Sequence, residues 1–123
     1  MSKTNIKRTN WLKKKVRTKK SLGNLGKYPR LIIFRSNKHI YGQLVDDSSN
    51  TTILSSSSKD KKLMTEIKKN KNKIEQSKVV GFDLAEKIKK NKIEKIIYDR
   101  NGYRFHGRVK VIADTIKENG IKI

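Results

Sequence analysis

The chain has 123 residues, 33% apolar side chains, no cysteine and a formal charge of +21. Lack of cysteine excludes disulfides, thiolate metal sites and a cysteine nucleophile, and two histidines are too few for a protein-only zinc site. A positive surplus of that size on 14.3 kDa points to a polyanionic partner, held by electrostatic attraction and counterion release.

No Asp or Glu precedes Asp46, while the first 45 residues hold 13 Lys and Arg. Residues 1–28 therefore read as a basic N-terminal arm, a segment that repels itself and is built to lie along something anionic. Within it, Asn10 to Lys20 can become a helix once its charges are neutralised, with Gly23 and Gly26 ending it. Residues 29–123 read as one globular domain with a small core. No apolar run exceeds four residues, so neither a membrane span nor a secretory segment is expected.

Tyr28-Pro29 fixes an extended entry into the domain, because the residue before proline avoids the helical region. Leu31 to Phe34 is β-branched and apolar on both faces, which predicts a central strand. Arg35 to Lys38 is a polar turn. His39 to Val45 alternates, with Ile40 and Leu44 on one face and Tyr41 and Gln43 on the other. Asp46 to Asn50 is a second turn and Thr51 to Ser55 a third, edge-like strand, so the three strands form an antiparallel meander.

Ser55 to Lys73 is low in complexity, with a short helix around Leu63, Met64 and Ile67. A stronger helix starts at Asn72, with Glu75 three positions on as a capping partner. Its apolar stripe is Val80, Leu84 and Ile88, flanked by Gly81 and Ala85. Gly81 costs about 1 kcal/mol of helix propensity, which predicts close packing there against the sheet. Ile96 to Asp99 is a fourth strand, made parallel and right-handed by the helical crossover. Val109, Ile112, Ala113 and Ile116 mark a last helix, stopped by Asn119-Gly120. The fold class is α/β: a small mixed sheet of order β-β-β-α-β-α, an antiparallel meander plus one parallel strand.

Two stretches concentrate basic, aromatic and amide side chains. The first is Arg35 to Tyr41, at the hairpin tip and the strand after it. The second is Asp99 to Arg108, between the fourth strand and the last helix. Arg and Lys pair with phosphates, Tyr and His stack on unpaired bases, and Asn and Ser bond 2′-hydroxyls. Gly102 and Gly107 would let backbone approach a phosphate, and the last helix offers free N–H groups to an anion. Each stretch also has a plainer reading. Arg35 and Lys38 suit an ordinary solvated turn, Tyr41 suits sheet packing, and Phe105 is expected to anchor its loop in the core.

Pro29-Arg30-Leu31, the run Phe34 to Tyr41, Asp99 to Tyr103 and His106-Gly107-Arg108-Val109 together resemble the bacterial-type "L eighteen" family of the large ribosomal subunit. The likeness runs from about Pro29 to Ile123, with Val80-Gly81 and Ala113-Asp114 in register. It departs at Gly42, where the family usually has Ala, at the serine run ending the third strand, and at Asn91 in place of a helix-closing Gly. The resemblance implies an RNase H-like layered topology and a structural, non-enzymatic protein that binds 5S rRNA. It also implies attachment of 5S rRNA to large-subunit rRNA in the central protuberance, with neighbouring ribosomal proteins as further partners. No cofactor, metal or homo-oligomer is expected, and the setting is a bacterial cytoplasm or an organelle stroma. The implied RNA contacts are Arg30, Arg35, Ser36, Asn37, Lys38, His39, Tyr41, Arg100, Tyr103, Arg104, His106, Arg108 and Lys110. The arm adds Lys7, Arg8, Lys13, Lys14, Lys15, Arg17, Lys19 and Lys20, matched in character only.

Two other functions compete. Charge alone allows a non-specific nucleic-acid-compacting protein, which would depend almost wholly on residues 1–28. The layered topology prompts a nuclease, but metal-dependent phosphoryl chemistry needs converging carboxylates. The first strand has none, and Asp99 is better suited to holding its loop by pairing with an arginine.

Overall fold

The computed structural model describes residues 3–22, 26–69 and 72–123. Helix α1 (Lys3–Ser21) is followed by strands β1 (Arg30–Arg35), β2 (Ile40–Asp46) and β3 (Thr51–Ser57). A 3-10 turn at Lys61–Leu63 leads into α2 (Met64–Lys69) and α3 (Lys73–Lys90), then β4 (Ile97–Asp99) and α4 (Gly107–Glu118). The sheet order is β3-β2-β1-β4; the first three strands pair antiparallel and β4 lies parallel to β1. The meander and the parallel fourth strand thus stand as the sequence predicts.

Both long helices form where their apolar stripes place them. Asn72 caps α3 by accepting a hydrogen bond from the Ile74 amide at 2.9 Å. Glu75 does not complete the pairing expected of it as a reciprocal cap but lies 3.4 Å from Lys78. Val80, Leu84, Ala85 and Ile88 of α3 are buried against Val109, Ile112, Ala113 and Ile116 of α4 and against Leu31, Ile33, Ile40 and Leu44 of the sheet. Only this face of β1 is covered: Leu31 and Ile33 are fully buried, while Ile32 and Phe34 on the other face are half-buried. The strand is central in the sheet without being enclosed on both sides.

Three local expectations change. The serine run does not leave the sheet: β3 continues to Ser57, with Ser55, Ser56 and Ser57 opposite Gln43, Gly42 and Tyr41. Pairing along β2 supplies the hydrogen bonds that serine's own low strand preference would not secure. Gly81 packs against α4 rather than against the sheet. A Cβ there would stand 3.0 Å from Thr115 Cβ and 3.3 Å from the Ile112 Cα. Phe105 is 43% exposed, touching Tyr98 edge-on with ring centroids 6.2 Å apart, so it does not anchor its loop in the core. Tyr98 does that work: its half-buried phenol donates to the Val109 carbonyl, and desolvation followed by the Asp114 charge pushes its pKa up.

The family departures fit the same packing. The space above Gly42 is filled by Leu84, whose Cδ1 would lie 2.8 Å from an added Cβ. Asn91 caps α3 in a right-handed conformation, and the left-handed one falls to Lys92 at φ 58°. Among the described residues, no group of three or more His, Cys, Asp or Glu is placed to hold a metal ion.

The Gly81 contact yields a test. Gly81→Val would wedge α3 away from the α4 backbone and is expected to cost about 3 kcal/mol of stability, an overpacking penalty. A urea midpoint unmoved from the parent would show that the helices do not approach so closely there.

Candidate nucleic-acid interface

The hairpin between β1 and β2 is closed by its own polar groups. The Ser36 amide donates to the His39 carbonyl at 2.8 Å, and the Ser36 hydroxyl accepts from the His39 amide at 3.2 Å. Ser36 is therefore occupied in shaping the turn, while Asn37 and Lys38 project at its exposed tip. His39 Nδ1 lies 2.9 Å from the Ser58 hydroxyl, which also accepts from the Ile40 amide. Burial first, then the charges of Lys59 and Lys38, hold the His39 pKa below its ordinary 6.5, so the ring is neutral at pH 7. Tyr41 stands edge-on to His39 on the open sheet face.

The loop after β4 is fixed from its start. Asp99 accepts from the Asn101 amide at 2.8 Å, and Asn101 and Gly102 both take positive φ, 57° and 81°. Helix α1 rests on this turn: a Cβ on Gly102 would stand 2.8 Å from the Lys15 amide nitrogen. The opening beside Gly102 thus admits α1 backbone, not a phosphate. At Gly107, with φ 57°, nothing lies within 4 Å of an added Cβ, and the start of α4 stays open. His106 caps α4 without a side-chain hydrogen bond.

Trp11 seats the arm, a role the sequence reading missed. Its indole N–H donates to the Asn101 carbonyl at 3.1 Å, its ring stacks on Tyr103 at 5.8 Å, and Lys15 lies over it at 5.3 Å. The available signal was a lone tryptophan in a basic segment that has no acidic residue. Tyr103 also joins the two predicted stretches. The Arg35 guanidinium stacks on its ring at 4.9 Å, and its hydroxyl is 3.5 Å from the Arg35 backbone N and O. From α4, Arg108 reaches the His39 carbonyl at 3.5 Å.

The chain thereby gathers Arg35, His39, Tyr103 and Arg108 with Trp11 and Lys15 at one end of the sheet. Arg100, Arg104, His106 and Lys110 are exposed on the adjoining loop and first turn of α4. Burial and the nearby Arg35 lower the Arg108 pKa, the mark of two cations held close. Among the described residues no carboxylate forms an ion pair with Arg35, Arg100, Arg104 or Arg108, so this end can accept a polyanion. Arg30 is different. It is buried between Asp47 at 3.2 Å and Asp99 at 3.6 Å, which makes it a support of the loop and leaves its charge already answered. The pairing expected of Asp99 with an arginine is this one.

Along α1, Lys13, Lys14, Arg17, Lys19 and Lys20 are exposed, whereas Lys15 is half-buried against Trp11. The side chains of Lys7 and Arg8, and the helix stop at Gly23, lie outside the described residues. The predicted Asn10–Lys20 helix is contained in the longer α1.

Two outcomes are expected here. Removing the Tyr103 ring in Tyr103→Ala gives up a stacking contact of about 1 kcal/mol. The emission of Trp11, the sole tryptophan, should then move to the red and become more open to acrylamide; an unchanged spectrum would unseat this docking. In a proton NMR titration the His39 ring should titrate below 6.5 and shift upward in Lys59→Gln. Because the unfolded chain takes up that proton first, the stability His39 contributes is complete above 6.5 and declines as pH falls towards the folded value. A midpoint at or above 6.5 would contradict this environment.

Comparison with known proteins agrees with the resemblance drawn from the sequence. Residues 5–123 match the family model described as "Ribosomal L18 of archaea, bacteria, mitoch. and chloroplast". The "Large ribosomal subunit protein uL18" of Staphylococcus carnosus is 40% identical over 111 residues, 90% of either chain. Those of Exiguobacterium sp. and Thermotoga petrophila are 42% and 38% identical, covering 89% and 99% of both chains.

Proposed function

The chain belongs to the ribosomal L18 family, structural constituents of the large ribosomal subunit and not enzymes, and from that premise we propose that it binds 5S rRNA and helps attach it to large-subunit rRNA in the central protuberance. The observation that carries this reading is the joining of two distant stretches, Arg35 to Tyr41 and Arg100 to Arg108, through Tyr103. A non-specific cationic surface needs no such construction. Here guanidinium groups and aromatic rings are held in fixed relation, as recognition of folded RNA with unstacked bases requires.

In this reading Arg35, Asn37, Lys38, His39 and Tyr41 face the RNA with Arg100, Tyr103, Arg104, His106, Arg108 and Lys110. Arg30 and Ser36 act behind them, by holding the loop and the hairpin turn. Residues 1–28 serve as an arm that adds phosphate contacts and salt-sensitive affinity, beside a reading domain of residues 29–123. The meander with a parallel fourth strand supports an RNase H-like layered topology.

The test is a salt-resolved titration against folded 5S rRNA and against duplex DNA of equal charge. The RNA should bind at least about tenfold tighter, and Arg35→Ala or Arg108→Ala should each cost about tenfold on RNA, the loss of one charge-assisted contact. Lys117→Ala, at the far end of α4, should leave binding unchanged. Neutralising Lys13, Lys14, Lys19 and Lys20 to Gln should flatten the salt slope yet keep the preference for RNA. Equal affinity for RNA and DNA would favour a compacting protein instead.

A further inference from the structure

The chain carries 11 acidic residues, and six of them line a single groove: Glu66, Glu75, Asp83, Glu86, Asp114 and Glu118. In a molecule of +21 this concentrates the negative charge on the helical side, formed by α2, α3 and α4. The groove has a volume of about 880 Å³, and among the described residues Lys78 is the only basic one lining it. Glu75 takes up Lys78 at 3.4 Å, Asp83 lies 3.0 Å from Lys87, and Glu66 lies 3.7 Å from Lys69. Among the described residues, Glu86, Asp114 and Glu118 form no ion pair.

Acidic residues alone would describe an ordinary solvated helix face. The groove adds an apolar floor. Phe82 lines it at 49% exposure, with half-buried Val79 and Val111 also in the lining. Phe82 falls outside the stripe that packs α3 on α4 and the sheet, since Val80, Gly81, Leu84, Ala85 and Ile88 make up that face. The fold therefore has no use for an aromatic ring there, and leaving it in water forgoes its burial. RNA is disfavoured by the carboxylates around it, through like-charge repulsion with phosphate.

We propose that this groove docks a lysine- or arginine-rich segment of a neighbouring ribosomal protein, with an apolar side chain of that segment seated on Phe82. The ring is the anchor, and the unpaired carboxylates orient the cationic segment and exclude nucleic acid. The inference rests on membership of the large subunit and not on which RNA the opposite end binds.

The experiment uses the full chain in assembled subunits. Phe82 is replaced by the photoreactive p-benzoylphenylalanine in cells, large subunits are purified and irradiated, and the crosslinked peptide is identified by mass spectrometry. A peptide of net positive charge carrying an apolar residue at the crosslink is expected. Glu86→Lys with Glu118→Lys, both at exposed positions, should lower the crosslink yield about tenfold and leave affinity for isolated 5S rRNA within about twofold. A crosslink to rRNA, to an acidic peptide or to a second copy of this chain would overturn the proposal. So would the lack of a crosslink in subunits that contain the probe, or a yield indifferent to the charge reversal. Failure of the 5S rRNA reading would appear only in the RNA titration, leaving the crosslink result to stand separately.

Discussion

Arg30 stands at the head of β1 with its guanidinium between two carboxylates distant in the chain, Asp47 in the turn after β2 and Asp99 at the end of β4. A buried pair of this kind recovers little net stability, because desolvating the charges costs about as much as their attraction returns. Among the described residues, two of its nitrogens, Nε and Nη1, also find no hydrogen-bond acceptor. Its contribution is positional. Asp99, held by Arg30, binds the Asn101 amide and so sets the left-handed pair Asn101-Gly102. On that turn α1 rests through Lys15 and Trp11, and from it Tyr103 reaches Arg35. The sequence of contacts runs from a buried charge to the guanidinium and aromatic groups gathered at one end of the sheet.

That surface and the helical side divide the charge between them. Arg35 and Arg108 lie close together and, among the described residues, no carboxylate pairs with either, an arrangement that is unfavourable in the free protein and that a polyanion would relieve. The carboxylates that could have neutralised them are gathered instead around Phe82, beyond the core formed by α3 and α4. Such a separation gives the molecule an orienting field as well as a net charge, so approach to RNA is favoured from one side.

Much of this architecture is legible in the sequence because it depends on short-range periodicity. The stripes Val80, Leu84, Ile88 and Val109, Ile112, Ala113, Ile116 state which faces are buried whatever they meet. They do not state the partner, which is why Gly81 was assigned to the sheet and is found against Thr115 and Ile112. Ser56 and Ser57 carry no strand signal of their own; pairing with Gly42 and Tyr41 of β2 makes them a strand. Both candidate stretches are visible as clusters of Arg, Tyr and His. Their joining is not, since Arg35 and Tyr103 are 68 positions apart. Phe105 and Trp11 invert the ordinary expectation: the loop aromatic faces water, and the arm aromatic packs.

The packing of Trp11 changes what the arm is. A helix in which nine of nineteen residues are Lys or Arg opposes its own charge, and its Leu12 and Val16 remain exposed, so it has little apolar contact to hold it. One indole, stacked on Tyr103 and bonded to the Asn101 carbonyl, fixes its middle to the loop that also presents Arg100 and Arg104. The exposed cations of α1 are then placed relative to the aromatic and guanidinium groups before any RNA arrives. Part of the ordering entropy is thereby lost in folding and not in binding, which favours affinity. In the proposed function the same contact would bring sequence-blind phosphate attraction and shape-dependent recognition to one RNA surface, because Trp11 ties the arm to the loop that carries Tyr103.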